Sequence, residues 1–517
     1  MTLSPGFAPG KLLHAMSLAV HEANPAETGI FLAVHGAAMR ASRFTLSVPV
    51  PATGEHFLFN SLTDSQVVVS DDVVQLLGRV DREGASQLDP AARETATELA
   101  ALGFLVESRE AEDRALETFF TQLREDASHL RVTLLTTLQC NFACDYCIQG
   151  DHDPHRTTAT RMSLEQAVRV GDWMEQRLDT LGASRFTLTF FGGEPLLNLP
   201  VVYALSERMS DACRARGVAM SISIITNGLL LTEAVVDRLL PYGLTGVKIT
   251  LDGNRATHDR LRPLRGGQGT FDRILANMRA VAPKVRLSIG GNFDVESAAS
   301  YPDLLALLRA EPFADRIARI AFKPIIRGPN TGRPGAAGRS TAEDARVIPP
   351  VAVDSPPATL GGTCMTAAGK GAGNGAPCDT CGLADQRMAW LRAETRANGF
   401  ATLDGLHMGP CELHRRHSYT VGPEGSLYPC PGFTGEADQR IGHVVPALDL
   451  AHREVRDRFE AHAPWRACGD CALVPVCGGG CSVAAHNEQG DLGAPSCHRP
   501  AMLAALGEIA AAATVPA

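Results

Sequence analysis

The sequence lacks features that would place it in several common classes of protein. No run of 18 or more apolar residues occurs among its 517 residues, so we expect no helix that spans a membrane. The net charge is −9, which argues against a nucleic-acid groove. The apolar stretch 11–20 is followed by an acidic residue and has no clear small-residue cleavage site. We therefore expect a cytoplasmic protein.

Cysteine is absent before Cys140 and unusually frequent after it. The chain has 14 cysteines, and seven of them fall between Cys411 and Cys497. Such clustering does not suit a secreted disulfide scaffold, and in a reducing compartment clustered cysteines usually bind metal. The sequence therefore predicts metal sites in two separate segments. Cys213 stands alone on a predicted amphipathic helix, where a small buried residue is expected rather than a ligand.

The length predicts more than one domain. Segments 44–48 and 56–59 alternate as short strands do, and helices follow them, so the first unit is α/β. Segment 327–377 is rich in proline, glycine and alanine without periodicity, which is typical of a flexible insertion. The predicted divisions are an N-terminal α/β unit at 1–125, an α/β barrel at 126–326, the insertion at 327–380, a connecting helix at 381–410 and a cysteine-rich unit at 411–517.

The barrel prediction depends on six short apolar runs that alternate with helical patterns. Alternation of strands and helices predicts a parallel sheet, here curled as a partial (β/α)6 barrel, and the sites of such barrels lie at the carboxyl ends of the strands. A helix that begins after Ser163 has a capping box with Gln166. The predicted strands are 131–136, 186–190, 221–225, 246–250, 285–289 and 317–322.

The first cysteine group follows the first predicted barrel strand. Cys140, Cys144 and Cys147 have the spacing C-x3-C-x2-C, and three such thiolates can hold three irons of a [4Fe–4S] cube while the fourth iron stays open. The alternative is a zinc site with a distant fourth ligand. The position after strand one of an alternating chain, with Tyr146 before the last cysteine, favours the cluster.

This segment resembles the radical S-adenosylmethionine (SAM) superfamily. The resemblance implies that the open iron binds the amino and carboxylate groups of SAM, and that an electron from the cluster cleaves SAM to a 5′-deoxyadenosyl radical. The radical abstracts hydrogen from the substrate, while the protein positions and shields the cofactors. A reductant such as flavodoxin or ferredoxin is implied as a partner.

Further motifs follow the next strands in register. By the resemblance, Gly192 and Gly193 allow the backbone to approach the SAM ammonium, and Glu194 with Pro195 next to it supplies the opposite charge. Taken singly these motifs could be tight turns. The other residues assigned to SAM by position after a strand are Asn227, Thr250, Asp252 and, as a ribose contact, Asn292.

Two further SAM contacts are implied by the resemblance. The motif that contains His258, Asp259 and Arg262 is similar to one in the peptide- and protein-modifying branch, in which Arg262 would pair with the SAM carboxylate. The alternative for Arg262 is an exposed arginine in a basic loop. Tyr146 would lie against the adenine, and its alternative is a buried core aromatic.

The second cysteine group resembles the SPASM extension of radical SAM enzymes, which carries auxiliary [4Fe–4S] clusters. A zinc ribbon is the alternative, since Cys468-x2-Cys471 alone would suit zinc equally well. The resemblance assigns Cys411, Cys430 and Cys481 to an inner cluster. It assigns four further cysteines to an outer cluster, namely Cys468, Cys471, Cys477 and Cys497.

A full inner cluster in the SPASM pattern takes an eighth cysteine from just upstream, and none stands there in this chain. Cys364, Cys378 and Cys381 are the nearest candidates. Either one of them reaches the inner cluster, or that cluster keeps an open iron.

SPASM enzymes usually act on peptides or proteins, so the resemblance implies a peptide or protein substrate. Sulfatase maturases have an aspartate directly after the cysteine that matches Cys430, whereas this chain has Pro431, which cannot accept a proton. The N-terminal unit resembles the winged-helix element that binds leader peptides as an added strand, although a packing or dimerisation domain is the alternative. The sequence therefore favours a maturase of a ribosomally made peptide that forms a thioether or carbon–carbon crosslink. A formylglycine-forming enzyme, a radical SAM enzyme acting on a cofactor precursor and a non-enzymatic electron carrier are the alternatives.

Overall fold

The computed structural model describes residues 13–15, 39–50, 53–147, 160–294, 296–325, 379–403, 406 and 410–513. The expected insertion 327–380 lies outside the described residues except for its last two positions. Among the described helices, none is long and apolar enough to cross a membrane.

The N-terminal part forms a small antiparallel sheet covered by helices. Its larger sheet has the strand order β1-β5-β4-β3, and each neighbouring pair is antiparallel. Apolar side chains of the sheet such as Leu58 and Val69 pack on Leu76 and Leu99 of the helices. The strands are β1 Leu13–Ala15, β2 Arg40–Ala41, β3 Thr45–Val50, β4 Glu55–Asn60, β5 Ser65–Val69 and β6 Leu105–Val106, and the helices are α1 Asp71–Glu83, α2 Pro90–Ala101 and α3 Arg109–Glu125.

The central part has the predicted parallel sheet, and the expected α/β fold class is confirmed. Six neighbouring strands are parallel in the order β12-β11-β10-β9-β8-β7, and each overlaps one of the six predicted ranges. The strands are β7 His129–Leu135, β8 Arg185–Phe191, β9 Ala219–Thr226, β10 Leu244–Thr250, β11 Arg286–Phe293 and β12 Ile317–Pro324. The helices are α4 Leu164–Leu181, α5 Leu199–Arg216, α6 Glu233–Leu239, α7 Arg255–Leu261, α8 Phe271–Val281 and α9 Tyr301–Ala310.

The two faces of the barrel strands differ in polarity, as a strand period of two requires. In β8, Phe186 and Leu188 are buried, whereas Thr187 and Thr189 alternate with them and are partly accessible. Thr189 is hydrogen-bonded to Ser223 of β9 at 2.9 Å, so the inner face is polar. Helix α4 begins at the predicted cap, where the Ser163 hydroxyl accepts a hydrogen bond from a backbone N–H.

The C-terminal part extends the barrel sheet rather than forming a separate one. Strand β13 pairs with β7 in parallel, and β14 and β15 follow in antiparallel pairs, which gives nine strands in all among the described residues. The connecting helix expected at 381–410 corresponds to α10, which begins at Asp379 and already ends at Ala397. The elements are α10 Asp379–Ala397, β13 Ser418–Val421, β14 Ser426–Tyr428, β15 Gly442–His443, α11 Pro446–Asp449, α12 Arg453–Glu460, α13 Val474–Cys477, α14 Ser482–Gln489 and α15 Arg499–Ala513.

The last helix, α15, packs against the N-terminal sheet. Ala505, Leu506 and Ala510 of α15 are buried in one cluster with Val50 and Phe57 of the N-terminal sheet. One face of the N-terminal sheet therefore packs against α1 and α2, and the opposite face packs against α15.

Candidate functional site

The loop that carries Cys140, Cys144 and Cys147 follows β7 at the carboxyl end of the sheet. Backbone hydrogen bonds connect it to the loop after α7, because the N–H of Ala143 donates to the carbonyl of Pro263 at 2.9 Å. The Arg265 side chain donates to the Cys140 carbonyl at 2.7 Å. These contacts fix the cysteine loop from outside its own segment.

The three thiols of this loop lie close enough to affect one another electrostatically. Burial raises the pKa of Cys140 to about 11 and that of Cys144 to about 12, and Cys147 adds to both shifts. No group of three or more Cys, His, Asp or Glu side chains in the described part of the chain converges on a point that would suit a single metal ion. A cubane differs from such a site because each thiolate binds a different iron.

Gly192 and Gly193 pack against the backbone of the cysteine loop. A Cβ at Gly192 would lie 2.3 Å from the Thr137 carbonyl oxygen, and one at Gly193 would lie 2.2 Å from the Gln139 carbonyl oxygen. The Gly193 N–H donates to Thr137 at 2.9 Å. The absence of side chains at both glycines therefore lets the second strand end approach the cysteine loop closely.

Glu194 does not reach the cavity, in contrast to the role that the sequence suggested for it. Its side chain is fully buried, and its carboxylate accepts hydrogen bonds from the backbone N–H groups of Leu196 and Asn227 and from the Thr226 hydroxyl, at 2.8–3.0 Å. Burial raises the pKa of Glu194, and these donors oppose that rise. Glu194 thus connects the ends of β8 and β9, and Pro195 is likewise buried at the start of a 3-10 turn.

Tyr146, Asp252, Arg262 and Asn292 form one polar network. The Tyr146 hydroxyl donates to the Asp252 carboxylate and accepts from Arg262 at 2.7 Å. Asp252 is fully buried and also accepts from the Asn292 backbone N–H at 2.7 Å. Burial raises the pKa of Asp252, and the positive charge of Arg262, 3.6 Å away, opposes this effect.

Arg262 has capacity left for a ligand. Burial disfavours its charged form, but its neighbours, led by Tyr146, reverse that effect and raise its pKa well above the ordinary value. Its Nε is buried and has no hydrogen-bond partner among the described residues. The predicted motif residues His258 and Asp259 support the backbone around Arg262, since Asp259 accepts from the N–H of Thr270, whose hydroxyl donates to the Arg262 carbonyl.

A cavity of about 540 Å³ opens at the carboxyl ends of the barrel strands. Its far wall comes from α10 and from residues 498–502, which no sequence motif indicated. Glu194, Pro195 and Asp252 do not line it. The predicted residues that do line it are Cys140, Cys144, Tyr146, Cys147, Gly192, Gly193, Asn227, Thr250, Arg262 and Asn292.

The cysteines expected for an inner auxiliary cluster lie together. Burial raises the pKa of Cys430 to about 12, and Cys411 and Cys481 both contribute to the rise. Cys411 itself has a raised pKa, caused by burial and then by Cys481. The three thiols therefore come from three separate segments of the chain and share one region.

The cysteines expected for an outer cluster also lie together. Burial raises the pKa of Cys477 to about 12, and Cys468, Cys471 and Cys497 add to it. The pKa of Cys468 is raised to about 11 by burial and by two of the same neighbours. Among the candidates for an eighth ligand, Cys364 and Cys378 lie outside the described residues, as does the side chain of Cys381.

Sequence reasoning missed two lysines of the cavity wall, Lys248 and Lys323. Lys248 is the residue of β10 that lies two positions before Thr250, so it faces the same side of the strand. The sequence did contain a signal for them, because lysine is rare: it accounts for only five of the 48 lysine and arginine residues. A lysine within a predicted barrel strand could have been singled out on that ground.

Comparison with known proteins identifies the class of the central part. Residues 134–290 match the family model described as the Radical SAM superfamily. The chain therefore carries a radical SAM domain, and the cofactors of this superfamily are a [4Fe–4S] cluster and SAM. The thiols and the polar network described above fit these groups, since the cysteine loop offers three thiols and Arg262 offers a buried donor without a described partner.

Individual relatives have different activities. GTP 3′,8-cyclase of Synechococcus sp. (strain CC9605) is 31% identical over 172 residues, which cover 32% of this chain and 44% of that protein. A serine-type anaerobic sulfatase-maturating enzyme of Klebsiella aerogenes is 23% identical, over 66% of this chain and 76% of that protein. The solved structure of native anSMEcpe with bound AdoMet is 16% identical, with a TM-score of 0.49, and the match covers 74% of this chain and all of that one. This chain spans less than half the length of the first three curated relatives.

Proposed function

We propose that this chain is a radical SAM enzyme that modifies a ribosomally synthesised peptide and forms a thioether or carbon–carbon crosslink. The observation that carries the proposal is the arrangement of three cysteine groups, of which one lies at the mouth of a barrel cavity and two lie in the C-terminal extension. When bound, the cluster and SAM together supply a 5′-deoxyadenosyl radical. Cys140, Cys144 and Cys147 would hold the cluster.

The other roles belong to residues of the cavity. Arg262, which lines the cavity, would donate to the SAM carboxylate. Tyr146 and Asn292 would bind SAM from the same wall, while Asp252 holds Tyr146 and Asn292 in place. Residues of α10 and α15 close the far side and would exclude water from the reacting atoms.

A feature of the N-terminal sheet supports a peptide substrate. Strand β3 lies at the edge of this sheet and, within the described residues, pairs only with β4. An extended leader peptide could add to this edge as a further strand, with main-chain hydrogen bonds that do not depend on its sequence. The assignment of residues 1–125 to leader binding is part of the proposal.

A formylglycine-forming activity is the second candidate, because a sulfatase-maturating enzyme matches most of its own length to this chain. Against it, the residue after Cys430 is Pro431, which has no proton-accepting side chain. The peptide crosslinking activity is therefore the first proposal.

The first experiment tests the radical SAM chemistry. Anaerobically reconstituted protein should bind about twelve irons per chain, as three cubanes require, and should form 5′-deoxyadenosine from SAM when reduced with dithionite. Cys144→Ala should abolish this product and lose about four irons. Cys213→Ala is the matched control, since Cys213 is buried and no other cysteine contributes to its pKa shift. Product formation by Cys144→Ala would contradict the proposal.

The second experiment tests the product. A short Cys- or Gly-rich peptide encoded beside the gene is incubated with the enzyme and analysed by mass spectrometry. A crosslink should appear as the loss of two hydrogen atoms in a product that does not react with a hydrazine reagent. A product that does react with the hydrazine would carry an aldehyde and would favour the formylglycine activity instead.

A further inference from the structure

The cavity has an excess of positive charge that the described protein does not neutralise. None of its described lining residues is an aspartate or a glutamate, whereas four are lysine or arginine. Arg262 is paired with Asp252, and Arg392 is paired with Glu508 at 3.2 Å. The remaining two, Lys248 and Lys323, have no ion pair or hydrogen bond to any residue that the structure describes.

The strand register directs both lysines into the barrel. Lys248 pairs with Ser288 across β10 and β11, and Lys323 of β12 pairs with Asn292. A Cβ at Gly290 would lie 2.7 Å from Lys248 Cε, so the lysine stem crosses β11 where there is no side chain. Gly290 thus provides the space that lets Lys248 lie in the cavity wall.

The electrostatic environment of Lys248 agrees with this geometry. Burial lowers the pKa of Lys248 to about 8, and the positive charges of Lys323 and Arg319 lower it further. Both lysine side chains are accessible from the open cavity, so an anion that enters it can reach both ammonium groups. Such an anion would offset the mutual repulsion of these positive charges.

The residue type is also informative. Two of the five lysines of the chain line this one cavity, whereas arginine supplies nearly all other positive charge. Lysine presents a compact ammonium with three donors, while arginine presents a planar fork. A small oxyanion such as a carboxylate suits the compact ammonium group of lysine.

SAM does not account for this charge. SAM carries a positive sulfonium and a positive ammonium group, and its single carboxylate is assigned above to Arg262. We propose that Lys248 and Lys323 bind a carboxylate group of the peptide substrate, supplied by an acidic side chain or by the carboxyl terminus. This inference rests on the proposed function, since it takes the cavity as the substrate site.

One alternative concerns Lys323 alone. Its charge also lowers the pKa of Cys430, so it lies near the cysteines proposed for the inner cluster. Lys323 could instead compensate the negative charge of that cluster. Lys248 has no such neighbour among the groups that shift its pKa, so the test is centred on it.

The test uses chemical labelling of the reconstituted holoenzyme with SAM bound. Lysines are acetylated under anaerobic conditions with a limiting amount of acetic anhydride, and each site is quantified by mass spectrometry. Three probes are compared: acetyl-Ala-Glu-Ala-amide, acetyl-Ala-Gln-Ala with a free carboxyl terminus, and acetyl-Ala-Gln-Ala-amide. Lys284 is the internal control, because it lies on the surface and is paired with Asp237 at 2.8 Å.

The charged probes should reduce the labelling of Lys248 while the neutral amide does not, and the labelling of Lys284 should stay constant. Protection by the glutamate probe alone assigns the site to an acidic side chain, and protection by the free acid alone assigns it to a chain terminus. Protection of Lys248 without Lys323 would leave Lys323 to the inner cluster and overturn its part of the proposal. Equal protection by all three probes, or by none, would overturn the proposal as a whole.

A variant gives a second measurement. Lys248→Gln should weaken binding of the protecting probe about tenfold, the effect of one charge-assisted hydrogen bond, whereas Lys284→Gln should leave it unchanged. Unchanged affinity in Lys248→Gln would count against the site. Labelling needs no turnover, so a wild-type protein that bound carboxylates but failed to cleave SAM would refute the proposed function and leave this inference intact.

Discussion

The contact between Gly193 and the cysteine loop gives the sharpest prediction. In Gly193→Ala, the new Cβ would lie 2.2 Å from the Gln139 carbonyl oxygen and 2.6 Å from that of Leu138, whereas ordinary contacts begin near 3.4 Å. The obstacle is backbone, which cannot rotate away, so the loop must move by about 1 Å. Overpacking of this kind costs about 1–3 kcal/mol. Cys140 is the residue directly after Gln139, so its thiol should move with the loop.

The expected result is selective loss of the cluster at the cavity. Reconstituted Gly193→Ala should hold about eight irons in place of about twelve, because four belong to each cubane. Formation of 5′-deoxyadenosine should fall to the level of Cys144→Ala, while the two groups in the C-terminal part keep their iron. Iron and sulfide analysis, with electron paramagnetic resonance of the reduced protein with and without SAM, measures these changes.

Gly507→Ala provides the matched control. Gly507 lies in helix α15, and a Cβ there meets no atom within 4 Å. This variant should keep its full iron content and SAM cleavage, and its helix should gain about 1 kcal/mol from the better helix former. If Gly193→Ala behaved like Gly507→Ala, the close approach would not position the cysteine loop and the reasoning would be refuted.

Three further predictions concern buried polar side chains. Arg262→Ala should weaken SAM binding by at least about tenfold through the loss of a charge-assisted hydrogen bond, with unchanged iron, and equal affinity by calorimetry would refute its role. Glu194→Gln should lower the denaturation midpoint but weaken SAM binding less than Arg262→Ala does. If Glu194→Gln weakened SAM binding more than Arg262→Ala, the result would support the role first expected for Glu194, a contact with the SAM ammonium. Glu112→Gln should lower the free energy of unfolding by about 2 kcal/mol, since this buried carboxylate accepts three hydrogen bonds. Glu94→Gln, at an exposed position, should change the free energy of unfolding little. Equal free energies of unfolding for the two variants in urea denaturation would contradict the prediction for Glu112.

The sequence predicted the barrel strands because each is an apolar run that alternates with an amphipathic helix. It did not predict β13, since Ser418–Val421 is only four residues long and its partner in β7 lies far away in the chain. Nothing local distinguishes such a segment from a loop, and pairing across that separation is decided by tertiary structure.

The candidate site, like the fold, was predictable in part from the sequence. Spacing singled out the first three cysteines and the resemblance to the SPASM pattern divided the other seven into two groups. The structure brings each expected group into one region, and the roles of these cysteines stay predictions. The direction of the Glu194 side chain was not predictable, because a carboxylate after two glycines looks the same in sequence whether it faces a ligand or two backbone N–H groups. Lys248 escaped notice because a strand pattern indicates which residues share a face but not what that face encloses.

The pairing of β13 with β7 has a consequence for attempts to shorten the protein. A truncated chain that ended before Ser418 would leave one edge of β7, at Arg131 to Leu134, without its partner strand, while β8 would still pair with the other edge. Unsatisfied strand edges of this kind recruit other chains and cause aggregation. During synthesis the same edge stays open until the ribosome has added almost three hundred more residues. Insolubility of an excised catalytic domain would therefore reflect a missing strand, not a defect in the domain's own sequence.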